Sequence, residues 1–368
     1  MQESNNFKIS REQIILLIVG AAGGAYTYNF TWIIPSGGRA VSIIGLLSIV
    51  PIIPLVFWLL SLRKDRPEDT IFEIIESGLG KVTSKSIIII YYFITMISII
   101  ILMNLFTQTV KIYFLQYTPA WILMLLIIIM CYMFVNSGIK IFVMFCEIII
   151  VLATIDFHAG FALAFVKQFK IENFIPLFDI TLSGFLKSII FIMGNLSEVL
   201  MMFMLLINVM PDSKKCLTWI VKGLILWAVI YAAAGVIFIG IIGVEQLARV
   251  SGTGVAVAKV IQIGDFIRGL EVFIFVVYVN QAIAKLCIFL YSMQQAGLRL
   301  IGKSKSKIHL IIAAILVFIG SIIMNSYVTA YFVSVFLYTY ILLPFSIFVL
   351  ILGSLGLAIS NRKRGIIE

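Results

Sequence analysis

The sequence predicts an all-α integral membrane protein of about ten transmembrane helices, and two observations support this. Of its 368 residues, 62% are hydrophobic and 12% are charged, and the mean hydropathy is +1.14; an ordinary soluble domain carries about 25% charged residues. The second observation is a nearly unbroken series of apolar runs, each close to the roughly 20 residues that a helix needs to cross a bilayer. Ten spans use up most of the chain, so we expect one membrane domain over residues 1–368.

The individual spans follow from apolar runs between charged residues and Pro or Gly. They are predicted at 11–35, 40–62, 87–110, 119–137, 140–166, 184–210, 217–243, 266–296, 308–325 and 331–358. Between spans two and three, the segment 70–80 has apolar residues on one side and Glu73 and Glu76 on the other, which predicts a short interfacial helix. The Ser-Gly-Thr-Gly stretch 251–254, after span seven, is predicted to be a flexible outer loop.

Basic residues are distributed unevenly between the two sides of the predicted bundle. With the N-terminus in the cytoplasm, eighteen of the 27 Lys and Arg residues lie on the cytoplasmic side, eight lie on the opposite side, and Lys285 lies within the membrane. The positive-inside rule therefore predicts that both termini are cytoplasmic and that the number of spans is even. The basic residues form no dense stripe, so we expect membrane lipid rather than nucleic acid as the surrounding partner.

The order of the spans predicts an internal repeat. Five spans lie in 11–166 and five in 184–358, so the second five-helix repeat would be inverted relative to the first. In the first span of each repeat, small or polar residues interrupt the centre of the apolar run. They are Gly-Ala-Ala-Gly-Gly at 20–24 and Gly-Asn-Leu-Ser-Glu at 194–198. Paired interruptions predict that helices 1 and 6 are broken around a binding site at the midplane. The alternative is that the glycines only allow helices to pack closely.

Span eight carries the most polar face predicted inside the membrane. Glu271, Tyr278, Lys285 and Ser292 recur every seven residues, with Gln281 beside them. An ionisable group at mid-bilayer costs about 2.5–3.5 kcal/mol and therefore needs a partner or a purpose. Three interpretations of Lys285 stay open: a proton-responsive group, a fixed positive charge in the place of a sodium ion, or a side chain that snorkels to the interface.

Glu198 in span six is the candidate partner for this lysine. It can pair with Lys285 or accept hydrogen bonds from the broken span one, and the pair can be functional or purely structural. The four cysteines have neither metal-site nor disulfide spacing. There is no phosphate-binding loop and no nucleophile elbow. The sequence therefore predicts no enzyme activity, no catalytic residue, no metal and no cofactor.

Four segments of the chain carry a resemblance to a known family. They are 9–13 before a first span that ends at Pro35, 173–176 before span six, 264–273 at the start of span eight, and Lys285 with the pair Leu290-Tyr291 further along it. These segments resemble the B subunits of the GerA-type nutrient germinant receptors of endospore-forming bacteria, within the amino acid/polyamine/organocation transporter superfamily.

The resemblance implies a nutrient sensor built on a transporter scaffold, with a pocket between broken helices 1 and 6 and helices 3 and 8. It implies a small nutrient such as an amino acid, together with A-type and C-type receptor subunits in the inner spore membrane. The implied ligand contacts are Gly20, Gly23, Gly24, Asn195, Ser197, Glu198, Tyr278 and Gln281, and Lys285 would tie span eight to the unwound span one.

Two other functions stay open from the residues alone. One is a proton-coupled amino acid transporter, in which Lys285 or Glu198 changes protonation during the cycle. The other is a membrane scaffold without a ligand, which gives little reason for a charged stripe in the membrane.

Overall fold

The structure, a computed structural model, is helical over most of its length. It describes residues 7–23, 26–64, 66–165, 169–206, 209–211, 213–263, 267–268, 271–301, 306–363 and 365. The first eight helices are α1 Arg11–Gly23, α2 Tyr26–Gly37, α3 Val41–Ser48, α4 Ile52–Leu62, α5 Ile71–Leu79, α6 Lys81–Tyr113, α7 Ala120–Asn136 and α8 Ile139–Phe165. The others are α9 Leu182–Leu206, α10 Ser213–Ile242, α11 Val244–Leu247, α12 Thr253–Val260, α13 Glu271–Ile301, α14 Ser306–Met324, α15 Tyr327–Phe336 and α16 Leu343–Lys363.

Short irregular elements connect some of these helices. Two 3₁₀ turns cover Gly38–Ala40 and Ile171–Phe174, and a π-helical segment, Leu337–Leu342, joins α15 to α16. A single antiparallel pair, β1 Gln262–Ile263 and β2 Ile267–Arg268, precedes α13 and pairs Ile263 with Ile267. Within the described residues, the fold is therefore all-helical apart from this pair.

Seven helical stretches of the described residues are long and apolar enough to cross a membrane. They are Phe30–Leu62, Lys81–Tyr113, Leu182–Leu206, Lys215–Ile242, Phe275–Ile301, Lys307–Met324 and Tyr327–Lys363. A shorter apolar helix, Ala120–Asn136, accounts for the fourth predicted span. The chain is therefore an integral membrane protein, as its composition predicts. The total of ten spans, the inverted repeat and the single domain stay predictions.

The two ends of the described chain lie at the same end of the helical bundle. The N–H of Ile9 donates to the carbonyl of Val209 just after α9, at 3.0 Å. The Arg63 side chain donates to the carbonyl of Met210, and the Arg66 side chain donates to the hydroxyl of Ser360 near the end of α16. We call this the terminal end and the opposite one, where α2 ends and α9 begins, the distal end.

Span six is continuous in the structure, so the prediction of a broken helix 6 is wrong. α9 runs without interruption through residues 194–198. Glycine, asparagine and serine are weak helix formers, but here Ser197 and Asn195 each donate a hydrogen bond within the helix. The Ser197 hydroxyl donates to the Met193 carbonyl at 2.8 Å, and the Asn195 amide donates to Glu198 at 3.3 Å. The backbone therefore stays helical through this segment.

The predicted break in span one falls outside the described residues. α1 ends at Gly23, α2 begins at Tyr26, and Gly24 lies between them. The broken helix 1 stays a prediction. Span two is divided, because α3 ends at Ser48 and α4 begins after Pro51, whose missing N–H is tolerated in the first turn of a helix but not in its interior.

The predicted interfacial segment is a helix, α5, with one buried apolar face. A capping box defines its start, since the Thr70 hydroxyl and backbone N–H both bond to the Glu73 carboxylate. Gly78 lies directly against the backbone of Gly356, so the absence of side chains lets α5 and α16 pack closely. Glu73 also pairs with Arg299 at 2.8 Å, which links α5 to the end of α13.

We expect Glu73→Gln to lower the thermal stability of the folded protein near neutral pH and to have less effect in acid. Burial raises the pKa of Glu73, but the Thr70 backbone N–H and the Arg299 guanidinium outweigh this and hold it below the ordinary value of 4.5. A lowered pKa stabilises the folded protein above that value and the contribution disappears as pH falls through the folded pKa. At pH 7 the variant should lose about 1 kcal/mol or less, because the carboxylate is partly exposed.

Thermal unfolding of the purified protein from pH 7 down to about pH 3 checks this expectation. The gap between wild type and Glu73→Gln should close as the pH falls. A constant gap across the range would mean that the charge of Glu73 contributes nothing and that only its shape matters.

The stretch after span seven is ordered and buried, so the prediction of a flexible outer loop at 251–254 is wrong. Gly252 has φ +65° and starts α12, and Thr253 is completely buried. The Tyr113 hydroxyl donates to the Ser251 carbonyl at 2.6 Å. The valines and alanines that follow Gly254 bury their side chains, which gives the segment a reason to pack that the Gly-rich start conceals.

Aromatic packing fixes α2 against α10 in the distal half. Phe30 stacks on Tyr231 with ring centroids 4.6 Å apart and meets Phe238 edge-on at 5.1 Å. Such pairs contribute about 0.5–1.5 kcal/mol each beyond their buried area.

The four cysteines are buried and none forms a disulfide.

Candidate functional site

A buried ion pair between α9 and α13 is the centre of the candidate site. The Lys285 ammonium lies 2.7 Å from a Glu198 carboxylate oxygen, and the two side chains are 0% and 1% exposed. The structure confirms the predicted pairing of these residues, and the burial of Lys285 excludes the snorkelling interpretation. Because an isolated charge in an apolar interior costs far more than a paired one, each residue makes the other tolerable.

Two further side chains hold the Glu198 carboxylate in place. The Asn195 amide, one turn earlier on α9, donates to the oxygen that faces Lys285, at 3.3 Å. The Tyr338 hydroxyl donates to the other oxygen at 3.1 Å. On the other side of the pair, Lys285 lies 5.6 Å from the centre of the Phe289 ring, one turn along α13. The carboxylate is thus fixed by partners on three elements.

Tyr338 is a site residue that sequence reasoning missed. It lies in the π-helical segment Leu337–Leu342, and its carbonyl contacts Gly194 directly. π-helical turns are rare and frequently occur at functional sites. Nothing in the residue pattern marks this tyrosine, which comes 140 residues after Glu198 in the chain.

The predicted glycine contacts on α1 are near the pair but face apolar neighbours. Gly20 is buried, and a side chain there would meet Ile150 of α8 and Ile288 of α13, the latter at 3.4 Å. Ile288 follows Lys285 by three residues, so α1 passes beside the lysine on α13. Gly23 is buried, and Gly24 lies outside the described residues.

The remaining predicted residues lie at a different level of α13 from the ion pair. Gln281 precedes Lys285 by one turn, about 6 Å along the axis, and Tyr278 by two turns, about 10 Å. The ring of Tyr278 stacks on Phe106 of α6 with centroids 5.1 Å apart. Ser197 bonds within α9. The predicted residues therefore form an inner group around Glu198 and a separate group around Tyr278, not one cluster.

Two polar side chains of α6 lie near this second group. Asn104 and Thr107 are completely buried, and the Asn104 amide oxygen and Thr107 hydroxyl make no hydrogen bond to the described residues. They flank Phe106 in the sequence, and Phe106 stacks on Tyr278. A buried polar atom without a partner costs about 1–3 kcal/mol, so these atoms are well suited to a polar ligand.

Long apolar helices around a buried, hydrogen-bonded ion pair define a transporter-like membrane protein. A Na⁺-coupled sialic acid symporter, solved in a substrate-bound outward-open state, has a similar fold: the match covers 84% of this chain and 74% of that chain, with a TM-score of 0.64 and 14% identity. No curated protein sequence matches the chain significantly.

The sequence profile of the spore germination protein family, the spore permeases, matches residues 8–329. The chain belongs to this family. This finding confirms the family resemblance in segments 9–13, 173–176 and 264–273, and it establishes a membrane protein of spore germination on a transport-type scaffold.

Proposed function

We propose that this protein is a nutrient germinant-sensing subunit of a spore germination receptor, which binds a small nutrient such as an amino acid in its transporter-like pocket. Membership of the germination family and the transporter-like fold support this proposal. By this proposal it assembles with A-type and C-type subunits in the inner spore membrane, with both termini cytoplasmic.

The buried pair Glu198–Lys285 is the observation that carries the proposal. A sensor needs two arrangements of its helices whose balance a ligand can shift, and the ligand must bind one of them better. The pair joins α9 to α13, and Tyr338 adds the last span to the same carboxylate. A ligand that changed any of these contacts would act on three spans at once.

In this proposal the ligand lies between α1, α6, α9 and α13. Its direct polar contacts come from Tyr278, Gln281, Asn104 and Thr107, and the group around Asn195 and Glu198, with Gly20 and Gly23 beside it, lies next to the ligand. Lys285 acts as a fixed positive charge that holds α13 to α9.

The second candidate is a proton-coupled amino acid transporter. The symporter-like fold and the presence of a titratable pair in the membrane favour it. In that case the proton would move on and off Glu198 or Lys285 during the cycle, and substrate would cross the membrane.

Germination of spores that lack this gene, complemented with wild type or variants, tests the two candidates. We expect the complemented wild type to restore the response to one class within a panel of amino acids and nucleosides. We expect Gln281→Ala to require about fivefold more nutrient, since a lost hydrogen bond costs about 1 kcal/mol.

Gln116→Ala is the matched control, because Gln116 is exposed after α6 and lies away from the pocket. Its dose response should equal that of wild type at equal protein level. Accumulation of the nutrient in vesicles that contain the protein alone would favour the transporter. A knockout with normal germination toward every nutrient, in a strain without related receptors, would refute the sensor.

A further inference from the structure

Arg39 is a charged side chain at the distal end that is held in place by several contacts. It lies in the 3₁₀ turn after α2, and its side chain is 15% exposed. Its Nε donates to the Asn173 carbonyl at 2.9 Å, so the backbone of the segment before α9 holds the guanidinium in place. The remaining N–H groups form a fork that fits a carboxylate.

Two exposed carboxylates now occupy that fork. Glu245 of α11 lies 2.8 Å from Nη2, and Asp179 lies 3.7 Å from Nη1, with side chains 70% and 69% exposed. Ion pairs with such exposed partners contribute little, because water screens them and the flexible side chains lose entropy. The arginine is thus fixed, whereas its partners are exchangeable.

A cavity of about 530 Å³ with a mixed polar and apolar lining, which we call the distal cavity, lies beside this arginine. Arg39, Asp179 and Glu245 line it together with Lys187 of α9. Among the described residues, no carboxylate lies within ion-pairing distance of Lys187. The cavity therefore offers two cations for one end of a ligand and two carboxylates for the other.

α2 and α9 meet beside the cavity, which Ser36 and Gly184 help to line. The hydroxyls of Ser36 and Ser188 are 2.8 Å apart, and Gly184 contacts the Ser36 carbonyl. Ser188 precedes Glu198 by ten residues, which is about 15 Å of helix. A ligand in the distal cavity would therefore be separate from the buried ion pair.

We propose that the distal cavity binds small zwitterionic amino acids before they reach the pocket. The ligand carboxylate replaces Glu245 and Asp179 on Arg39 with help from Lys187, and the released carboxylates pair with its ammonium group. This inference deepens the proposed function, since it gives the nutrient class an access site. Because the cavity recognises groups that all α-amino acids share, it does not depend on which nutrient triggers germination.

Three probes test the carboxylate and the ammonium group of the ligand separately. Their binding is measured to the full-length protein purified into phosphatidylcholine nanodiscs. L-alanine carries both charges, propionate only the carboxylate, and ethylamine only the ammonium. Saturation-transfer NMR should show L-alanine binding more tightly than either. Lys187→Gln should weaken L-alanine and propionate by about fivefold each and leave ethylamine unchanged. Lys170→Gln, exposed at the same end, is the matched control and should change none of the three.

Glu245→Gln gives the sharpest result, because it removes a competitor for Arg39. It should strengthen propionate binding and weaken ethylamine binding, and Arg39→Gln should abolish propionate binding. Absence of L-alanine binding, or unchanged L-alanine binding in both Lys187→Gln and Arg39→Gln, would overturn the inference. Failure of Gln281→Ala to shift the nutrient response would instead count against the proposed pocket, so the two proposals fail separately.

Discussion

Lys285→Met should destabilise the protein by about 3–5 kcal/mol, the largest effect that we expect from a single substitution. The side chain is completely buried, and its removal leaves the Glu198 carboxylate without the cation 2.7 Å away. Asn195 and Tyr338 still donate to that carboxylate, but hydrogen bonds alone do not offset the lost charge. Thermal inactivation of the purified protein, with the amount in the membrane measured alongside, checks the size of the loss.

The double variant Lys285→Met with Glu198→Gln is the control that separates structure from function. Replacing both charges removes the uncompensated carboxylate, so stability should return to near wild type, with a large favourable interaction term in the double-mutant cycle. A stable double variant that no longer responds to nutrient would establish a functional pair. A stable and responsive one would make the pair purely structural, and a double variant as unstable as the single one would contradict the pairing itself.

Gly194→Ala should cost about 3 kcal/mol, the upper part of the range for overpacking. A side chain at this position would overlap the backbone carbonyl of Tyr338. Backbone cannot rotate out of the way as a side chain does, so α9 and the π-helical segment must separate. We expect this separation to break the bond from Tyr338 to Glu198 as well, and the loss to appear as lower thermal stability and lower membrane yield.

Gly320→Ala is the matched control for this substitution. It is also a glycine within an apolar helix, and a side chain there meets only the tip of Ile100, at 2.5 Å. A flexible tip can move, so the expected cost is below about 1 kcal/mol. Equal costs for the two variants would mean that the close backbone contact at Gly194 has no special importance.

The class of fold was predictable because the bilayer sets a simple requirement on sequence. Every backbone group must bond inside its own helix, so each span needs a long apolar run, and such runs are visible without any tertiary information. The short helix α5 was also predictable, since its apolar residues lie on one side and Glu73 and Glu76 on the other, a pattern that is visible within a few residues of chain.

The predictions that failed depended on interactions between helices or on competition between local signals. The Gly-Asn-Leu-Ser-Glu sequence of α9 contains weak helix formers, but Ser197 and Asn195 bond back onto their own helix and Gly194 serves a close contact. Residues 251–254 look like a loop because Gly252 needs a positive φ, whereas the helix that follows buries its apolar side chains.

The candidate site was predictable only in part, for a similar reason. A buried lysine requires a partner, and pairing with Glu198 was one of the two interpretations that the sequence allowed for this carboxylate. Tyr338 did not follow, because its approach to Glu198 depends on the local geometry of the last span. The role of Arg39 was not predictable from the sequence, because its partners Asn173, Asp179 and Glu245 come from segments more than 130 residues further along the chain.

The π-helical segment Leu337–Leu342 also determines which side chains of α16 face the neighbouring helices. An α-helix turns by about 100° per residue, so one residue more in a wide turn rotates the remainder of the span by that angle relative to the part before it. In this protein Tyr331, before the segment, contacts Trp32 of α2. Gly356, after the segment, faces α5. Relatives without the wide turn must lack one residue here, or else turn a different stripe of their last helix toward α5.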